Sequence, residues 1–435
     1  MPAPRRRPVL RGTVRIPTSK PDTQRALLMA ALAEGTTRIR FPNTCTESRV
    51  LRDACQHFGA RFTDDPGGGT ITVEGVAGVP ARPAAILRTG GSGFALRHLV
   101  AVAGLVDGPC VLAGDRRMAD RPLAPLIETL IALGGWAESV TEDVALPLVV
   151  WSGALSGGPV PVPAHDTSQF VSAIMTVAPY AAAPVRIEIP GPVVGAPYIR
   201  MTARAMRRFG AEVAVARDLS SVEVGQGGYR GRDVTIGPDG TSLFYFIAAA
   251  VVADADIVVA DAAPGRDEFV DHVTGLGRRL GVQITRQGPD LRIRSGPPPG
   301  GRVEVDAAAV PTLVPALAAI STNLPAGLRL RGARHLRHHK TSRLAVVMAE
   351  LARLGRHLRP IYHGGELDGF ETSEAGPPTA HRVDSYGDHR NFMALYLAAQ
   401  TLPAPVTVIG AETLGTSFPG FLTCFDNLTV EPAQV

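Results

Sequence analysis

Cysteine is scarce: Cys45, Cys55, Cys110 and Cys424 are the only four in 435 residues. None forms a C-x-x-C pair, so the spacing excludes the common zinc templates and a disulfide framework, and a reducing cytoplasm is the expected location. Aromatic residues make up only 5% of the chain. No apolar run reaches the roughly 20 residues of a membrane span; the longest, Leu243 to Ala253, falls well short, so no membrane partner is expected. Arg5, Arg6 and Arg7 are not followed by the apolar stretch of a secretory signal. A long basic block is missing too. The net charge is only +4, with arginines spread along the chain, which favours a small anionic ligand over a nucleic acid.

What is abundant is Ala, Gly, Pro and Arg, with 45% apolar residues, the composition of a globular α/β chain encoded by a GC-rich genome. The length predicts two or more domains. Comparing the sequence with itself reveals a repeat of about seventy residues. One series marks the end of a helix with glycine: Phe58-Gly59, Leu133-Gly134, Phe209-Gly210, Leu280-Gly281 and Leu354-Gly355. A second marks an earlier helix, at Arg25, Leu96, Ser168, Ser242, Thr312 and His389. Short β-branched runs follow those helices, at 37–41, 110–112, 185–189, 257–259, 328–330 and 406–409. The helices that end on glycine carry apolar residues at three- and four-residue spacing, as in Leu344, Val347, Met348, Leu351 and Leu354. Six such units cannot each bury a sheet alone, and grouping them three and three predicts two lobes with helices inward and a site between them.

Each first helix opens with polar residues, and a helix start offers free N–H groups to an anion. These are Ser19-Lys20 with Arg25, Gly90-Gly-Ser-Gly93 before Arg97, Thr167-Ser168-Gln169, Asp239-Gly-Thr-Ser242 and Asp388-His389-Arg390. Taken singly, a serine or aspartate there is a cap and a glycine loop a turn. Their recurrence at equivalent places in a repeat points to ligand binding. The segment His335-Leu-Arg-His-His-Lys340 matches no zinc spacing and reads as solvated or anion-binding, so no metal and no cofactor is expected.

Several strings resemble the enolpyruvyl transferases, above all the enolpyruvylshikimate-phosphate synthases. They are Arg15-Ile-Pro-Thr-Ser-Lys-Pro-Asp-Thr-Gln-Arg25, Gly90-Gly-Ser-Gly-Phe-Ala-Leu-Arg97, Gly114-Asp-Arg-Arg-Met-Ala-Asp-Arg-Pro122, Thr167-Ser-Gln169, Pro197-Tyr198, the stretch from His335 to Arg343, Asp388-His-Arg390 and Phe418-Pro419. The resemblance spans essentially the whole chain. It implies a two-lobed inside-out α/β barrel of six βαβαββ repeats, three per lobe, that closes over its ligands. One lobe would hold residues 1–18 with 240–435 and the other 19–239, joined by hinges near 14–20 and 236–241. A monomer is expected. By the resemblance, Lys20, Arg117, Arg343 and Arg390 hold phosphoenolpyruvate, while Arg25, Ser168, Gln169 and Tyr198 hold a shikimate-type ring and its phosphate, with Thr167 beside them.

Departures fall on the acid–base groups. Thr312 stands where the family has an aspartate, Lys340 where it has a glutamate, Thr416 for a late lysine and Pro21 for a serine. Phe94 replaces a small threonine, and Gly195 a serine that helps bind the acceptor phosphate. Enolpyruvyl transfer needs a base for the acceptor hydroxyl and an acid for the methylene carbon. Lys20, Lys340 and His389 are the proton carriers that remain. Three readings follow: transfer from phosphoenolpyruvate to an altered cyclic acceptor, elimination of water or phosphate from a shikimate-like acid without phosphoenolpyruvate, and, third, either a housekeeping shikimate-pathway synthase, against which the missing carboxylates count, or anion binding without catalysis.

Overall fold

The computed structural model describes residues 7–141, 145–263, 265, 267–338 and 341–430. It divides into two compact units: an inserted lobe, Thr18–Ile236, and a terminal lobe, Met1–Pro17 with Gly237–Val435.

In the inserted lobe the helices are α1 (Lys20–Leu32), α2 (Thr46–His57), α3 (Gly93–Ala103), the short α4 (Arg116–Ala119), α5 (Ala124–Ala132), α6 (Gln169–Val177) and α7 (Ala196–Arg208). They are of two kinds. All eleven residues of α3 are buried, and so are all but the first of α6. Helices buried at nearly every residue, polar ones such as Arg97 and His98 included, lie inside the lobe. By contrast α2 buries only Ser48, Leu51, Ala54 and Cys55, one face of its cylinder. Strand 36–40 alternates exposed and buried residues along its length, so its sheet has one wet face. Helices inside and half-wet sheets outside make the barrel inside out.

The terminal lobe holds α8 (Gly240–Val252), α9 (Glu268–Arg279), α10 (Val314–Ser321), α11 (Arg343–Arg353), α12 (His389–Ala399) and α13 (Phe421–Asp426). Every residue of α8 is buried. Helix α10 begins two residues later than the repeat suggests, because Leu313 precedes it without a side-chain cap and Pro315 sits in its first turn.

Sheet pairing explains how the chain passes between lobes. Strand Val9–Arg15 runs parallel to Asp254–Ala260, which follows α8, and Asp233–Thr235 runs parallel to Thr36–Arg40, which follows α1. The strand that precedes α1 in sequence therefore serves the sheet of α8, and the strand that precedes α8 serves the sheet of α1. The sixth unit departs from the βαβαββ pattern. Its own sheet has only Arg382–Asp384 beside Thr407–Ile409, and its last strand, Thr429–Val430, pairs antiparallel with Val9–Leu10. That pairing covers a strand edge that would otherwise stand open.

The glycine series is explained by chain direction. Gly59, Gly134, Gly210, Gly281 and Gly355 follow α2, α5, α7, α9 and α11 with φ of 97°, 91°, 89°, 87° and 71°, the left-handed turn that ends a helix without a Cβ penalty. Surroundings differ. A Cβ on Gly134 would have no atom nearer than 3.8 Å, whereas one on Gly355 would meet the Gly376 carbonyl oxygen at 2.2 Å. Gly134→Ala should therefore cost about 1 kcal/mol and Gly355→Ala about 3 kcal/mol, read from urea unfolding. Equal losses would show that the 376–377 turn yields without strain.

Candidate functional site

In the inserted lobe the site begins at the cap of α1. Ser19 Oγ accepts from the Asp22 N–H at 3.2 Å and donates to Asp22 Oδ2 at 2.7 Å. Lys20 is the first helical residue, 8% exposed, and its Nζ donates to Glu47 Oε2 at 2.9 Å. Asn43 ties the preceding loop down through its Nδ2, which donates to the Thr18 carbonyl.

Arg25 is buried one turn further on. Its Nε donates to Thr202 Oγ1 at 2.8 Å and its terminal nitrogens to the Pro21 and Tyr198 carbonyls, and its guanidinium lies 5.2 Å from the centre of the Phe94 ring. These partners are neutral. Burial brings the guanidinium pKa down to about 10 even with Asp22 helping to hold the charge. Phe94 in turn stacks on His98, centroids 3.7 Å apart. The imidazole is fully buried and is held well below its usual value by that burial and by the charge on Arg25.

Beside this stack, two guanidiniums close around one glycine. A Cβ on Gly93 would lie 2.5 Å from an Arg121 terminal nitrogen, 2.9 Å from one of Arg97 and 3.5 Å from Gln169 Oε1. Arg97 donates to Gln169 Oε1 at 2.7 Å and to the Pro122 carbonyl, with its other face on Phe170. Burial, then the charge on Arg121, lowers the Arg97 pKa to about 9. Thr167 Oγ1 accepts from the Gln169 N–H. Ser168 is buried; Gly195, at φ 74°, leaves room next to it, since a Cβ there would stand 2.8 Å from Ser168 Oγ and 3.1 Å from the Tyr198 ring. The sequence pointed to Arg97 as part of a polar helix start but did not single out Arg121. Arg117 lies in α4, its side chain outside the described residues; within the same string it is Arg121, before Pro122, that reaches Gly93. Glu47 was also missed, since an isolated glutamate on the exposed-looking start of an amphipathic helix gives no signal.

The terminal lobe contributes a different group. Arg343 opens α11, 4% exposed, and both its Nε and a terminal nitrogen meet Asp388 Oδ2 at 2.8 Å. Asp388 is wholly buried and caps α12 through its Oδ1, which accepts from the Arg390 N–H. Burial pushes this carboxyl up, but Arg343, the cap and Arg390 outweigh it and hold it below the usual carboxylate value. Arg390 donates to the Thr312 carbonyl, and Thr312 Oγ1 lies 3.4 Å from Thr241 Oγ1. His389 is buried in the first turn of α12. Thr416 Oγ1 donates to the Thr413 carbonyl. Lys340 and His339 lie outside the described residues.

Each lobe thus carries buried arginines, satisfied largely by neutral acceptors in the inserted lobe and by one carboxylate in the terminal lobe. Such groups suit carboxylate and phosphate. Structural comparison defines the class. An EPSP synthase from Acinetobacter baumannii matches with a TM-score of 0.76 over 98% of this chain and 97% of that one at 23% identity, and the enolpyruvyl transferase NikO from Streptomyces tendae with 0.73 over 97% and 95% at 19%. The fold is that of the enolpyruvyl transferases. At the level of sequence, proteins named 3-phosphoshikimate 1-carboxyvinyltransferase are similar throughout: that of Methanothermobacter thermautotrophicus is 32% identical over 95% of this chain and 94% of its own length, that of Halorubrum lacusprofundi 31% over 97% and 96%. The family model for EPSP synthase (3-phosphoshikimate 1-carboxyvinyltransferase) matches residues 5–425, and the chain belongs to that family.

Two predictions concern the site's framework. Asp388→Asn leaves Arg343 buried without its counter-charge and should cost about 3 kcal/mol in urea unfolding. His98 remains neutral in the fold at pH values where an unfolded histidine takes a proton. Stability tied to it is therefore complete above about pH 6.5 and falls by about 1.4 kcal/mol per unit as pH drops from there towards its lowered folded value. His98→Gln should flatten urea midpoints between about pH 6.5 and 5 relative to the unmutated protein.

Proposed function

We propose that the protein transfers the enolpyruvyl group of phosphoenolpyruvate to a hydroxyl of an anionic cyclic acceptor, with shikimate 3-phosphate the first acceptor to test. The observation that carries this reading is the like-charged pair of buried Arg97 and half-buried Arg121, brought together against Gly93 and Gln169. Two adjacent cations favour an anion beside them, and a phosphate group supplies the charge and the acceptor oxygens.

The reaction has two stages. In addition, the acceptor oxygen bonds to C2 of phosphoenolpyruvate, its proton passes to a base, and the methylene carbon takes a proton from an acid. In elimination, the new methyl group gives up a proton and the C2–O bond to phosphate breaks, leaving the enolpyruvyl ether and inorganic phosphate. A threonine hydroxyl is not a base at neutral pH, so Thr312 can orient an acceptor but not deprotonate it. Proton transfer falls to Lys20, Lys340 and His389.

Only Lys20 and Lys340 are lysines, against 42 arginines. An ammonium can be tuned to exchange protons near neutral pH and a guanidinium cannot. Lys20→Arg keeps the charge and the reach to Glu47 but not that exchange, and turnover should fall about 10²- to 10⁴-fold.

The threonine pair Thr241–Thr312 also favours a second reading, elimination from a shikimate-like acid, which would need no carboxylate at that place. Proton NMR separates the two, using shikimate 3-phosphate and shikimate, each with and without phosphoenolpyruvate. Vinyl ether signals that require phosphoenolpyruvate are expected. New ring olefin signals without it would establish the lyase, and no change with these or other cyclic alcohols would leave anion binding.

A further inference from the structure

Lys20 stands where a lysine is poorly placed to stay charged. It opens α1, so its side chain starts beside the positive end of a thirteen-residue helix, and it is 8% exposed. A helix N-terminus repels a cation and burial penalises any charge, so both conditions favour the neutral amine. Glu47 opposes them. It is the second residue of α2, where the helix end favours a carboxylate, and its Oε2 meets Lys20 Nζ at 2.9 Å with the two side chains 14% and 11% exposed.

On α1 and the helices packed against it, the other covered ionisable groups are Asp22, Arg25, Arg52, Cys55, Tyr198, Arg200 and Arg204. Asp22 accepts from Ser19 and lies 3.9 Å from Arg204, and Arg52 is paired with Asp64. The strands beneath α1 carry Arg38, Arg40 and Glu74 exposed. Glu47 supplies a direct carboxylate contact to the covered ammonium.

We infer that Glu47 is the positioning residue for the enzyme's proton donor: its carboxylate fixes the Lys20 ammonium in place and keeps it charged at working pH. What Lys20 does with its proton rests on the transferase reading; how Lys20 is held does not.

With two lysines in the chain, full-length protein labelled with [13Cε]lysine gives two side-chain signals, and Lys340→Arg assigns them. Glu47→Gln should lower the titration midpoint of Lys20 by about one pH unit or more. Glu47→Asp keeps the charge but draws it back by one methylene; its midpoint should stay near that of the unmutated protein while kcat falls about 10²-fold with KM for phosphoenolpyruvate nearly unchanged. Equal Lys20 midpoints with and without Glu47→Gln overturn the inference. Unaltered kcat in Glu47→Asp overturns it too, and that variant decides the matter should Glu47→Gln not fold. If no acceptor is turned over, the transferase reading fails, while the lysine midpoints still decide the role of Glu47.

Discussion

Arg97 and Arg121 set the terms for the inserted lobe. Two guanidiniums next to one glycine, Arg97 buried and Arg121 half-buried, repel each other while losing part of their hydration. The lobe compensates locally: Gln169 and the Pro122 carbonyl accept from Arg97, and Phe170 presents its ring face. Gln169 is in turn fixed by Thr167 at the start of α6. Gly93 has no side chain because both arginines occupy the space a Cβ would need. Helix register, glycine placement and capping here all answer to where the two charges sit, and dipoles fixed before a ligand arrives need little rearrangement on binding.

The inside-out plan makes this arrangement affordable in structural terms. Because α3 and α8 are buried at every residue, their polar first turns cannot turn towards bulk water and must be satisfied by caps or by ligand; in α1 and α6 only Pro21, Asp22 and Gln169 are half-buried. Ser19, Ser92, Asp239 and Asp388 satisfy the N–H groups of α1, α3, α8 and α12 through their own side chains. Capping and the positioning of buried arginines therefore use the same stretch, and Asp388 does both: one oxygen caps α12 and the other holds Arg343.

That overlap decides how much was legible in the sequence. The repeat was readable because glycine after a helix and a polar residue before one are dictated by backbone geometry, and strand 185–189 agrees with the observed Val185–Glu188 to one residue. Phe41, expected to end a strand, instead adopts φ 55° and leaves it. The sixth unit's borrowed strand was hidden because pairing between Thr429–Val430 and Val9–Leu10 leaves no periodic trace. Likewise the contacts of Lys20 with Glu47, and of Arg121 with Gly93, join residues 27 and 28 positions apart in ways that spacing along one helix does not encode.

The substitution pattern of basic residues carries the chemical side of the same logic. A chain that uses arginine almost everywhere has lysine only at 20 and 340. Arginine would serve equally as a buried cation and better as a bidentate anion clamp. What it cannot do is release a proton near neutral pH. An ammonium at the start of α1 is costly without a counter-charge, and Glu47 on α2 supplies one at 2.9 Å. In the proposed reaction, proton delivery then depends on how that lysine is held.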